Sequence, residues 1–134
     1  MKNLMRTVIL SLGLSLVTIW AARADQPTSP FGVAGTMEMR DGSPVVRFNF
    51  EVPPDLSLYP GRLGFETEDG KTLTPVAMSE PSVHKDGVTG EEKKVYERAF
   101  TAELKLDTTL PANLIVKFQG CSNSACYFPE KRVF

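Results

Sequence analysis

From residue 33 onward, apolar and polar positions alternate with a period of two over short runs. Val46, Phe48, Phe50 and Val52 alternate with Arg47, Asn49 and Glu51, which predicts a strand with one buried face. Asp41-Gly42 before this run and Pro53-Pro54-Asp55 after it are turn-forming sequences that bound it. Leu63 and Phe65 mark a second short strand, and Leu73 to Met78 a third. Phe100, Ala102, Leu104 and Leu106 form another clear alternation, and Leu114, Val116 and Phe118 repeat it. Val33–Met39 and Arg132–Phe134 read as edge strands. No helical stripe persists for three turns. Seven or eight short strands with frequent turns predict an all-β, immunoglobulin-like two-sheet sandwich. The likeness is architectural, because the distant cysteines flanking a buried tryptophan are missing and Trp20 is the only tryptophan. Ser79–Glu92 is the longest stretch without a strand pattern, and reads as either a flap or an unordered segment.

The first residues follow another pattern. Met1, Lys2 and Arg6 precede an uncharged apolar run from Val8 to Trp20, and Ala22-Arg23-Ala24 follows. A basic start, a short apolar run and small residues at A-x-A spacing predict a cleaved secretory signal over 1–24. An uncleaved anchor is the alternative, but a spanning helix needs roughly 20 apolar residues. Cleavage would leave a flexible segment over 25–32 and one domain over 33–134, with no stable membrane insertion. It would also remove Lys2, Arg6 and Arg23 and no acid, leaving 12 basic residues against 16 acidic. A mildly acidic surface without basic–aromatic clusters excludes nucleic acid as an expected partner. Nothing in the pattern requires more than a monomer.

Export would place the two cysteines, Cys121 and Cys126, in an oxidising compartment, where a close pair is expected as a disulfide. Ser122-Asn123-Ser124-Ala125 between them is a natural reversal, which would set the pair opposite each other on a hairpin. Two readings of such a bond stay open. A staple across about six residues contributes only ~2 kcal/mol by chain entropy, against ~4.7 for a 100-residue loop. A redox pair needs a bond that opens without unfolding the domain, which short range allows. Metal binding is weaker. A closed zinc site wants four ligands, and the chain offers two cysteines and the lone His84. A soft copper(I) site would need Met37, Met39 or Met78, yet Met37 and Met39 alternate like one buried strand face. No cofactor is expected.

Phe118-Gln119-Gly120-Cys121, four residues, then Cys126-Tyr127-Phe128-Pro129-Glu130 resembles the cysteine hairpin of the N-terminal periplasmic domain of the thiol:disulfide interchange protein DsbD. That family shows an aromatic-Gln-Gly-Cys lead-in and a Cys-Tyr-Pro-Pro-Glu exit. Asp55–Tyr59 resembles, more weakly, an aromatic-rich segment ending in tyrosine, and Asp86–Gly90 with Val95-Tyr96 resembles the cap loop and the strand after it. Most of residues 31–134 can be laid on that domain, although only the hairpin motif is specific.

The resemblance implies an immunoglobulin-like sandwich with the cysteine hairpin at one end, working in the periplasm as a thiol:disulfide oxidoreductase module. It implies electrons taken from a membrane-embedded donor and passed to thioredoxin-like periplasmic proteins. By position Cys126 would form the mixed disulfide and Cys121 would resolve it, with Tyr59, Asp86, Val88 and Tyr127 as neighbours of the sulfurs. Three departures stand out. The loop between the cysteines is one residue shorter, Phe128 replaces the first proline of the exit, and Val88 and Thr89 replace aromatics of the cap. Shielding of the disulfide would then be weaker, or would come from Phe31, Tyr59 or Phe128. Neither a membrane domain nor a terminal thioredoxin-like domain follows Phe134 in the sequence, so the expectation is either that a separate membrane protein supplies electrons or that the module serves another use. The competing expectations are a binding or assembly module with a structural Cys121–Cys126 bond, and a metal-handling protein.

Overall fold

The computed structural model describes residues 29–107 and 110–134. The signal expected over 1–24, and residues 25–28 of the segment expected to be flexible, lie outside the described residues. In chain order the strands are β1 Gly32–Arg40, β2 Ser43–Glu51, β3 Leu56–Leu58, β4 Gly64–Thr67, β5 Thr72–Leu73 and β6 Ala77–Met78. There follow β7 Ser82–Lys85, β8 Glu92–Val95, β9 Phe100–Lys105, β10 Leu114–Phe118, β11 Gly120–Ser122 and β12 Glu130–Val133, and one 3-10 turn covers Pro60–Arg62.

One four-stranded sheet has the order β1-β2-β9-β6 and a second the order β12-β10-β4-β5. Their pairings are antiparallel throughout. Alternation fixes the register. Phe48 stands opposite both Gly35 and Ala102, and Phe50 opposite Val33 and Phe100, so one face of β2 and β9 is apolar. That face meets the second sheet through rings. Phe50 stacks on Phe100 with centroids 4.5 Å apart and meets Phe118 edge-on at 6.3 Å. Phe48 stacks on Phe65 at 5.7 Å. The fold is therefore the immunoglobulin-like β-sandwich that the alternation predicts.

Several expectations are corrected. Leu73–Met78 is not one strand. β5 pairs with β4 in one sheet and β6 with β9 in the other, and Pro75, which lacks the N–H a ladder needs, lies in the crossing. Met37 and Met39 are not core residues but 60% and 67% exposed. Edge strand β1 runs past the cover of the opposite sheet: Phe134 still reaches Gly35, and the methionines lie beyond it. Among the described residues there are twelve strands rather than seven or eight, because two- and three-residue strands are too short to show a period. Ser79–Glu92 is no unordered loop. β7 and β8 form a hairpin there, with Ser82 opposite Val95 and Lys85 opposite Glu92. Its strands are exposed except at Val95, so no buried face writes an alternation into the sequence. His84 accordingly lies in β7 and not in a loop. It is exposed there, with Nδ1 3.4 Å from a Glu97 carboxylate oxygen.

The segment expected to be flexible is fastened from Ser29 on. The Ser29 amide and hydroxyl donate to the Glu130 carboxylate at 3.0 and 2.6 Å, and the Arg132 guanidinium donates to the Phe31 carbonyl at 2.7 Å. Phe31 is buried, so the core begins two residues before the boundary drawn at 33.

Candidate functional site

At the end of the sandwich where β10 leaves the second sheet, the chain turns into β11, which pairs with β3. Leu58 of β3 in turn exchanges both backbone hydrogen bonds with Tyr96, at 2.9 and 2.8 Å. Asp55, at φ 64°, makes the left-handed turn that aims β3, a conformation aspartate tolerates better than most residues. A small two-stranded sheet thus extends beyond the sandwich, and Cys121 lies in β11, between β3 and the arm that carries Cys126.

Cys121 and Cys126 stand opposite each other as a β-bridge and are joined by a disulfide, with Cα atoms 3.9 Å apart. The hydrogen bonds on either side run from Tyr127 N–H to the Gly120 carbonyl at 2.8 Å and from Ser122 N–H to the Ala125 carbonyl at 2.7 Å. The cysteines therefore form a non-hydrogen-bonded pair, the closer of the two antiparallel pair types. The loop between them is organised by Ser122, whose hydroxyl accepts from the Ser124 and Ala125 amides at 3.3 and 3.2 Å. The two sulfur-bearing residues differ sharply in access. Cys121 is 5% exposed, whereas Cys126, on the outer arm, is exposed.

Phe31 backs the hairpin. Its ring packs edge-on against Phe118 at 6.1 Å and Tyr127 at 5.9 Å, and a Cβ at Gly120 would fall 2.0 Å from it. Glycine before the first cysteine is therefore required by close approach. Glu130, the end of the motif, holds Ser29, and Arg132 lies 5.2 Å over the Phe118 ring while holding the Phe31 carbonyl. Gln119 donates to the Tyr127 carbonyl at 3.0 Å and accepts from Arg62 at 2.9 Å, which fixes the outer arm.

Of the neighbours the sequence singles out, Tyr127 adjoins Cys126 and is partly exposed, and Tyr59 follows β3, two residues beyond Ser57. Ser57 is directly opposite Cys121 in the register. Asp86 and Val88 sit in the turn of the β7–β8 hairpin. The Asp86 carboxylate accepts from the Val88 and Thr89 amides at 2.8 and 3.0 Å. Those two bonds, Thr89 first, hold its pKa below the usual carboxylate value. Val88 is 96% exposed, and Phe128 is 91% exposed, so neither covers a sulfur in this conformation. Phe31, on the Gly120 side of the hairpin, supports the disulfide from behind. Ser57 and Arg132 escaped the sequence reading of the site, while Gln119 and Ser122 were named in the motif and the reversal without the contacts they make. Ser122 had a signal in its turn composition, but the place of Ser57 and the contacts of Gln119 depend on a register that a single sequence does not display.

Among curated proteins no relative matches. Solved structures similar in fold include the following two. The N-terminal domain of Neisseria meningitidis DsbD in its reduced form is 18% identical with a TM-score of 0.57, over 76% of this chain and 82% of that one. The complex between the DsbD N-terminal and PilB N-terminal domains of the same organism gives 17% identity and a TM-score of 0.57, over 84% of this chain and 86% of that one. The family model described as thiol:disulfide interchange protein DsbD, N-terminal, matches residues 27–134, and the chain belongs to that family.

Proposed function

We propose that this domain is a periplasmic dithiol–disulfide carrier that exchanges electrons with thioredoxin-fold proteins through Cys121 and Cys126. The observation that carries the reading is the difference in access within one local bond. Cys126 is exposed on the outer arm of the hairpin while Cys121 is buried in β11, on the inner arm. An incoming thiolate reaches Cys126 Sγ, and a bond so local opens without parting the sheets. The solved complex of a related N-terminal domain with the PilB N-terminal domain supports an exchange partner docking on a protein of this fold.

The step balances as follows. A donor thiolate attacks Cys126 Sγ, the Cys121–Cys126 bond breaks, and Cys121 leaves as a thiolate that takes a proton from water. The second donor thiolate attacks the donor sulfur of the mixed disulfide and releases Cys126. Two electrons have entered the pair and the donor has become a disulfide. Delivery runs the same steps in reverse: Cys126 attacks the acceptor disulfide and Cys121 resolves the mixed species. Tyr59 and Tyr127 flank this path, and Asp86 and Val88 belong to a flap whose turn moves when a partner docks. Export by a signal over residues 1–24, a membrane donor and a monomeric carrier complete the reading.

The test is capture. Cys121→Ser traps a mixed disulfide between Cys126 and a thioredoxin-fold partner, and Cys126→Ser abolishes transfer. In parallel, the reduction potential of the pair should fall at roughly −120 to −270 mV. A potential well below about −300 mV, with both variants transferring like the parent, would make the bond a staple and the domain a binding module.

A further inference from the structure

Phe128 is the most conspicuous apolar group near the cysteines that neither the fold nor the exchange chemistry uses. It is 91% exposed, although the rings around it are packed: Tyr127 lies edge-on to Phe31 at 5.9 Å, and Phe118 to Phe31 at 6.1 Å. Single exposed apolar residues are ordinary on a surface, so the placement decides the matter.

The arm that bears Phe128 is held on both sides of it. Before it, Tyr127 N–H donates to the Gly120 carbonyl at 2.8 Å, and the Tyr127 carbonyl accepts from Gln119 at 3.0 Å. After it, Pro129 stiffens the backbone, and Glu130 begins β12 and holds Ser29. A residue preceding proline is kept extended, so the arm alternates through this stretch. Tyr127 turns to Phe31, and in an extended arm this leaves Cys126 and Phe128 to the other face, about 7 Å apart along the backbone. The backbone that carries the ring is thus held beside the exposed cysteine, so docking has little more than the ring's two side-chain torsions to order.

We infer that Phe128 is the recognition anchor of the exchange surface, seated on docking in an apolar surface next to the reactive cysteine of a thioredoxin-fold partner. The inference rests on the carrier reading and adds what chooses the partner. An aromatic centred in a desolvated contact is the usual form of an interface hot spot, and the surrounding arm contributes complementarity. Phe128 makes no bond to sulfur, so it acts on encounter and leaves the redox pair alone.

The experiment compares two reductants of the oxidised protein by stopped-flow: reduced thioredoxin, which must dock and whose strongly negative potential drives electrons into the pair, and dithiothreitol, which is too small to reach an anchor. Phe128→Ser should slow transfer from thioredoxin tenfold or more and change the dithiothreitol rate less than twofold. Phe128→Trp should restore most of the thioredoxin rate, and the midpoint potential should be the same in all three proteins. If Phe128→Ser leaves the thioredoxin rate unchanged, or lowers both rates together, the anchor role is overturned. If the parent itself reacts no faster with thioredoxin than with dithiothreitol, the carrier reading fails first and the anchor falls with it.

Discussion

The ring of Phe31 lies on the α-carbon of Gly120, so near that a Cβ there would stand 2.0 Å from Cε2 and 2.1 Å from Cζ. This contact joins the start of the domain to its cysteine hairpin. Arg132 and Glu130, which follow the hairpin, hold the backbone that carries Phe31, so the segments before β1 and after Cys126 are fastened to each other. On the carrier reading proposed above, the hairpin would open and close its disulfide on this firm base. The turn of the β7–β8 hairpin, by contrast, is exposed and makes its hydrogen bonds internally.

Gly120→Ala should destabilise the domain by about 1–3 kcal/mol, the usual cost of overpacking a filled interior. For a domain of this size, each kcal/mol lowers Tm by roughly 4–8 °C. The cost should largely disappear in a Phe31→Val background, where the ring is gone. Urea unfolding of the four proteins, oxidised, closes the double-mutant cycle. Additive losses would mean that glycine is needed for some reason other than Phe31.

The difference in access between the two cysteines has its own readout. In the reduced protein Cys126 should react with iodoacetamide about tenfold faster than Cys121, since a residue 5% exposed admits the reagent only on local opening. Brief alkylation followed by peptide mass spectrometry assigns the label. Equal labelling would remove the asymmetry on which the assignment of Cys126 as the attacking thiol rests.

The two main sheets were readable because β2, β9 and β10 each bury every second residue, and burial of one face is what writes a period of two into a sequence. The cysteine hairpin was readable as a local object for the same kind of reason, since its reversal and its pairing lie within six residues. What surrounds it was not. Ser57 reaches Cys121 through pairing of β3 with β11, more than sixty residues away, and β3 is only three residues long. The β7–β8 hairpin was hidden because both its faces meet water. The methionines of β1 misled for a converse reason, because their alternation is real but the opposite sheet ends before covering them.

Away from the cysteines, an ion-pair cluster sets the acid response. Glu103, its side chain 14% exposed, receives Arg40 at 3.0 Å and Arg47 at 2.5 Å on the outer face of the first sheet. Their hydrogen bonds, that of Arg40 first, bring its pKa from 4.5 down to about 2. The folded state therefore binds fewer protons than the unfolded chain. The stabilisation is complete above the unfolded value of 4.5 and is lost as pH falls toward about 2. Glu103→Gln should lower Tm at pH 7, and the gap from the parent should close between those two pH values. It should also shrink in 1 M salt, because the cluster lies at the surface. Parallel curves across that range would show that the cluster does not contribute to folding.

Ser122 links local geometry to the redox chemistry. Its hydroxyl accepts from the Ser124 and Ala125 amides at 3.3 and 3.2 Å and donates to the Ala125 carbonyl at 3.1 Å, all inside the loop the disulfide closes. In the dithiol form that loop and the two flanking ladder bonds are what keep the sulfurs within reach of each other. Ser122→Ala removes the side-chain share, so the reduced loop should spread and the effective concentration of one thiol at the other should fall. A lower closing concentration disfavours the disulfide, which makes the potential less negative. A tenfold loss corresponds to about 30 mV for a two-electron couple, and partial loss should give about 10–30 mV. Ser122→Thr keeps the hydroxyl and should stay close to the parent. Equilibration of all three proteins against a glutathione couple measures the shift. An unchanged potential in the alanine variant would assign the geometry to the ladder bonds from Tyr127 and Ser122 alone, because these are backbone bonds that the substitution leaves intact.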